Sequence, residues 1–162
     1  MQLNKIFTSR LAKISLWVTL GVLIALTGWW LMPRKLIPVI VFPDKQKIEI
    51  EFADTAAERA QGLSGRASLA ANTGMFFVFD DEGLYPFWML DMKFSLDMIW
   101  LDSQYRIVYL KRNVSPAASE ADLVQYINDQ PAKYVLEVNA GITAAHQLQV
   151  GSQLTYREIE SW

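Results

Sequence analysis

PFWMLDMKFSLDMIWLD, residues Pro86 to Asp102, is apolar enough to form the centre of a domain, yet it carries three aspartates. It reads as two strands, about 86–92 and 96–101, and the period-two geometry of a strand sorts the acids. Asp91 shares a face with Met89 and Lys93 and reads as a solvated residue. Asp102 begins a turn, where its side chain can accept from nearby backbone N–H groups. Asp97 is different. Its face carries Ser95, Ile99 and Leu101, while Leu96, Met98 and Trp100 fill the other, so the strand is apolar on both faces and expected to be central and covered. A buried, unpartnered carboxylate would cost several kcal/mol, so Asp97 must be paired or hydrogen-bonded. Composition offers two partners: Arg66, or the backbone N–H groups of a neighbouring turn. A structural Asp97–Arg66 ion pair carries more weight than a ligand-binding or catalytic role, because structural networks also bury carboxylates.

Outward from this stretch, Asp102-Ser103-Gln104 turns the chain into a strand at Arg106–Lys111, forming a hairpin with 96–101. Leu36–Pro43 reads as an extended tether or first edge strand, with Pro at both ends of its Val/Ile run. In Lys47–Phe52, Ile48, Ile50 and Phe52 alternate with Glu49 and Glu51, the pattern of a half-buried strand. Thr55 and Glu58 have capping-box spacing and Gly62 suits the position past a helix end, predicting a helix over 55–61. Gly74–Phe79 is a short strand, and Asp80-Asp81-Glu82-Gly83 reads as a turn. Residues 113–132 are polar and irregular, with a short helical piece at 119–127. Tyr134–Val138 is a strand, Ile142–Leu148 a short helix, and Gln153–Ile159 a final strand. The expected fold is mainly β: a single compact curled sheet or barrel-like domain with one or two short helices, preceded by one N-terminal transmembrane helix.

Ile14–Met32 runs 19 residues without a charge, and as a helix it nearly spans the ~30 Å hydrocarbon core. It leaves through Trp29-Trp30-Leu31-Met32-Pro33 into Arg34-Lys35, an interfacial belt rather than the small residues of a signal-peptide cut; cleavage near Ala25–Thr27 is the alternative. Lys5, Arg10 and Lys13 precede the span, favouring a cytoplasmic amino terminus. The organisation read from this is a cytoplasmic basic tail at 1–13, a single-pass anchor in the cytoplasmic membrane at 14–32, a tether at 33–46, and a β domain at 47–162 on the extracytoplasmic (periplasmic) side. The lipid bilayer is then one partner. Residues 36–162 hold ten Lys and Arg against all 17 Asp and Glu, a net −7 that argues against nucleic acid as a partner.

The chain has no Cys and one His. Disulfides, thiolate metal sites and a cysteine nucleophile are excluded, and His146, read as a lone surface residue, gives little support to a metal site or a Ser–His–Asp relay. No metal or cofactor is expected. Ser64 follows a helix rather than a strand and does not match a nucleophile elbow. Trp88, beside Phe87 and Met89, reads as an aromatic platform or as core. Glu137 and Asn139 share a face with Val135, opposite Leu136 and Val138; a polar rim facing a cleft and a solvent face predict the same pattern, and the solvent face is the safer expectation.

Ala53-Asp54-Thr55, Glu58-Arg59, Gly62-Leu63 with Arg66, Gly74-Met75 with Phe77 and Phe79, Phe87-Trp88-Met89, Leu96-Asp97, and Val135-Leu136-Glu137 with Ala140-Gly141 occur in this order. The series resembles the successive motifs of the uncharacterised family called domain of unknown function 192, over about residues 47–157. The resemblance implies a compact, largely β domain, often exported or envelope-anchored, with no established activity. The chain departs from the family pattern at Leu90-Asp91-Met92, where Lys-Asn-Thr is usual, at Ser64, where Met is usual, and at Gly151-Ser152, where Gly-Asp is favoured. Arg66, Trp88, Asp97 and Glu137 are retained and are carried over as candidate ligand-binding residues.

The leading expectation is a cleft near Arg66, Trp88 and Asp97 that binds a small ligand or a segment of an envelope protein. Trp88 would stack, Arg66 would hold an anion, and Asp97 would orient Arg66 or accept a hydrogen bond. Two alternatives are a hydrolase using Asp97 and Glu137 as an acid–base pair, which requires both carboxyls to converge on one cleft, and a purely structural envelope module.

Overall fold

The computed structural model describes residues 34–161, so the expected tail at 1–13 and anchor at 14–32 lie outside the described residues. Within residues 34–161 no helix is long and apolar enough to cross a membrane. Seven strands, β1 (Lys35–Val41), β2 (Lys47–Ala53), β3 (Thr73–Gly83), β4 (Leu96–Leu101), β5 (Ile107–Val114), β6 (Ala132–Asn139) and β7 (Thr155–Ser161), form one sheet in the order β5-β4-β6-β3-β2-β1-β7. β2 and β3 run parallel; the pairs β1–β2, β3–β6, β4–β5 and β4–β6 are antiparallel. The sheet is open and curled. Its two ends approach at one corner, where Arg106 and Gln153 form an isolated bridge and Ile107 N donates to Ser152 O at 2.9 Å. Two short helices, α1 (Ala56–Gln61) and α2 (Ile142–Ala145), and a 3-10 turn at Glu120–Asp122 complete the domain.

Local chemistry sets several of these boundaries. Thr55 Oγ1 accepts from Glu58 N at 3.2 Å while Glu58 Oε2 accepts from Thr55 N at 3.0 Å, a capping box that starts α1. Gly62 ends it at φ 49°, a backbone conformation that side chains resist. Asp102 Oδ1 accepts from Gln104 N and Arg106 N at 2.9 and 2.8 Å, which makes the β4–β5 turn. The Val/Ile run after Leu36 is a strand, though an inner one, lying between β2 and β7.

Other expectations are corrected. The acidic run Asp80–Gly83 continues β3 across a register shift instead of turning, since exposed acids are compatible with a strand that projects beyond the covered centre. Residues 86–92 are not a strand. Pro86 lacks a donor, Asp91 adopts φ 51°, and the only ladder contact there is the bridge of Phe87 to Tyr126. Their aromatic side chains instead cover one face of the sheet. Glu137 does not face solvent, for the same reason: that face of β6 lies under the covering segments.

The core therefore has two layers, one on each face of the central strands β4, β6 and β3. Ile99, Leu101, Leu136, Val138 and Phe76 belong to one; Met98, Trp100, Val135, Met75 and Phe77 belong to the other, with Leu63, Leu69 and Met89 packed on them. Every residue of β4 is buried, Asp97 completely. Asp97 Oδ1 accepts from Asn113 N at 2.8 Å, and Oδ2 accepts from Thr143 N at 2.9 Å and Thr143 Oγ1 at 2.6 Å. Its partners are thus donors from the end of β5 and the start of α2, not Arg66, whose guanidinium forms a two-pronged pair with Glu51 at 2.8 and 3.1 Å on the surface. Arg112 extends the network, donating from Nε to Thr143 Oγ1 and from Nη2 to Leu148 O. One carboxylate so fixes β4, the end of β5 and α2 to one another.

Asp97→Ala would strand these donors in a dry interior and is expected to cost roughly 3–5 kcal/mol, with Asp97→Asn costing less because one acceptor oxygen remains. Urea unfolding of the two variants beside the wild type measures both losses; a loss below about 1 kcal/mol for the alanine variant would contradict a joining role.

Candidate functional site

β6 and β4 place their carboxylates on opposite faces of the sheet. In register Asp97 lies beside Val138 and Met98 beside Glu137, and residues directly opposite in a ladder share a face. Asp97 therefore belongs to the layer of Ile99 and Leu136, and Glu137 to the layer of Met75 and Met98. An acid–base pair of Asp97 and Glu137 cannot converge on one cleft, which removes the geometry that the hydrolase expectation needed.

Glu137 instead joins Trp88. Both line an open-sided cavity of about 290 Å³ bounded by β3, β6, α1, the segment 62–64 and the segment 85–92. Phe77 and Phe79 rise from β3 into its wall, because alternate residues of that strand share a face. Phe87 meets Phe77 edge-on with centroids 4.8 Å apart, Tyr85 stacks on Phe79 at 3.6 Å, and Trp88 is 39% exposed beside them. Arg59, from the last turn of α1, donates to the carbonyls of Asp54 and Val78 and lies 5.4 Å from the Phe79 ring centroid.

Fixed polar contacts hold these walls. Ser64 Oγ donates to Leu90 O at 2.8 Å and Gly65 N to Asp91 O at 2.9 Å, joining the two loops that roof the cavity. The Tyr85 backbone is held from both sides: its N donates to Asn128 Oδ1 at 2.7 Å, and its O accepts from Trp100 Nε1 at 3.1 Å. Asn139 Nδ2, on the Glu137 face, donates to Leu69 O and Ala70 O, each at 3.1 Å. The cavity is consequently built into the fold rather than left between mobile side chains.

Glu137 is 4% exposed, and among the described residues its carboxyl, which opens onto the cavity, has no hydrogen-bonding or charged partner. Burial alone pushes its carboxyl from the ordinary 4.5 up to about 8. At neutral pH it is mostly a neutral acid, able to donate one hydrogen bond into the cavity and to accept others.

Of the four candidate residues, then, Trp88 and Glu137 come together, while Arg66 and Asp97 lie elsewhere with partners of their own. Sequence reasoning missed Arg59, Phe79, Tyr85 and Met92 as cavity residues. Arg59 and Phe79 stand in the motif segments of the family resemblance, which is the one signal that could have singled them out. Two departures from the family pattern, Ser64 and Met92, fall at this cavity. His146 is paired as well, with Nδ1 2.6 Å from Asp44 Oδ2, and among the described residues no cluster of His, Asp and Glu could hold a metal.

A solved structure of a proposed transcription regulator from Sinorhizobium meliloti 1021 is similar to this chain, at 27% identity and a TM-score of 0.66, covering 75% of this chain and 92% of that one. A protein of unknown function from Novosphingobium aromaticivorans DSM 12444 is similar at 25% identity and a TM-score of 0.65, covering 75% and 84%. No curated protein matches. The model of DUF192, described as an uncharacterized ACR, matches residues 39–156, which take in strands β2 to β6 and the cavity: the chain belongs to that family.

Proposed function

We propose that this domain binds a small, largely apolar molecule in the cavity between Trp88 and Glu137. The observation that carries this reading is a carboxyl group buried at the cavity with no protein partner. A polar group in that position lowers stability, and such a cost is characteristic of functional sites. The aromatic lining supplies apolar contact and shape, the single carboxyl supplies orientation, and the hydrogen-bonded roof keeps the site formed before a ligand arrives. Full-length protein in detergent micelles is to be tested by thermal shift against toluene, benzyl alcohol and benzylamine at millimolar concentration. At least one is expected to raise the melting temperature, and the gain should fall at least severalfold in Trp88→Ala. Identical shifts in the two proteins would place binding elsewhere.

The cost of Glu137 has a measurable sign. Between its ordinary value of 4.5 and about 8, the unfolded chain has released a proton that the folded chain keeps, so stability falls as pH rises through this window, by up to about 1.4 kcal/mol per pH unit from this group. Glu137→Gln cannot titrate and is expected to lose this share of the slope, becoming more stable than the wild type near pH 8. Urea unfolding across the window measures it; parallel pH profiles for the two proteins would mean that Glu137 is ionised in the folded state.

We further propose that residues 14–32 anchor the domain on the extracytoplasmic side of the membrane, supported by the uncharged apolar run and the basic residues before it. The chain has no Cys, so Val150→Cys, at an exposed position, introduces a single reporter. It is expected to react with a membrane-impermeant maleimide in intact cells; labelling only after lysis would reverse the orientation.

A further inference from the structure

Glu137 is an acceptor-only group once ionised, and among the described residues no donor acts on its carboxyl, which lines the cavity. A ligand that brings its own N–H donors would complete the site. We propose that the cavity takes a primary amine, its ammonium group paired with Glu137 and its apolar body lying among Phe77, Phe79, Phe87 and Trp88. This rests on the binding reading above and narrows it to one ligand class.

Two further observations select a cation over an anion or a neutral polar molecule. The lining is aromatic on several sides, and ring faces carry the negative end of the quadrupole, which attracts ammonium groups in a desolvated setting. Residues 36–162 carry a net −7, which raises the local concentration of cations and repels anions. Arg59 is the opposing charge. Its guanidinium is tied to the Asp54 and Val78 carbonyls and to the Phe79 ring, and it does not offset the burial of Glu137. Its charge favours an orientation in which the ammonium points away from it, towards the carboxyl.

The remaining charged groups on the surrounding elements are engaged or exposed. Lys133, on the same face of β6, donates to the Asp80 carbonyl. Arg66 pairs with Glu51, and Asp91 and Lys93 are exposed. Among the described residues, Tyr85 is the only other titratable group lining the cavity besides Arg59. β3 and β4 present Met75 and Met98 beside Glu137, and the acids Asp80 and Asp81 near the end of β3 are exposed, their charges reaching Tyr85 at the cavity wall. Binding of an ammonium ion therefore exchanges one proton: the carboxyl O–H bond breaks, its proton leaves to solvent, and the carboxylate accepts from the ammonium N–H.

Isothermal titration of the full-length protein in detergent tests this with benzylamine, benzyl alcohol and toluene, in two buffers of different ionisation enthalpy. Benzylamine is expected to bind most tightly and to release close to one proton at neutral pH. With the Glu137 carboxyl titrating at about 8, its affinity should rise roughly 20-fold from about pH 6.5 to about pH 8.5. Glu137→Gln should weaken benzylamine more than tenfold and abolish both the proton release and the pH dependence of its binding, with cooperative urea unfolding of the variant reporting an intact fold. If the wild type binds benzyl alcohol or toluene as tightly as benzylamine, or if Glu137→Gln leaves benzylamine unchanged, the amine assignment is overturned and the binding reading stands. If the folded wild type binds none of the three, both are overturned.

Discussion

Both faces of β4 and β6 are covered, and this obliges every polar side chain on those strands to find a partner inside the protein. Two carboxyls fall under that constraint and meet it differently. Asp97 is met by three donors from β5 and α2, so its charge becomes the joint between three elements. Glu137, one strand away and on the opposite face, is met by none, and burial moves it to the neutral form instead. The same sheet thus holds a satisfied acid that organises the fold and an unsatisfied one that opens onto a cavity.

The covering layer over Glu137 is made of irregular chain, which would be a poor wall without internal ties. Ser64, Asn128 and Asn139 provide them by bonding to backbone groups of facing loops, leaving the aromatic side chains free to line the space. Packing joins in: Phe87 meets both Phe77 and Trp100 edge-on, which fixes its ring in the cavity wall. A preformed apolar space with one ionisable group is suited to recognition, because little ordering remains to be done when a ligand enters. It is poorly suited to two-carboxyl hydrolysis, since the second carboxyl of the sheet belongs to the other layer.

Much of the scaffold was legible in the chain. Capping chemistry at Thr55 and Glu58, the Asp102 turn, the β4–β5 hairpin and the alternation in β2 are local properties, governed by residues within a few positions of each other. The need of Asp97 for a partner was also legible, because Leu96, Met98 and Trp100 on one side and Ile99 and Leu101 on the other leave no solvent face. Which partner it takes was not. Arg66 and the Thr143 amide are each many residues away, and only the insertion of β6 between β3 and β4, with α2 following it, brings the latter within reach.

For Glu137 the limit is more severe. A strand with alternating apolar and polar residues looks the same whether its polar face meets water or a second layer of chain. What covers that face is the stretch from Pro86 to Met92, whose alternation reads as a strand but which Pro86 and the left-handed Asp91 divert into a lid. Sequence alone determined strands β2, β4 and β5, the helix cap and the burial of Asp97, since those depend on neighbours along the chain. Tertiary structure decided the burial of Glu137 and the cavity beside it, since those depend on which distant segment lies on top.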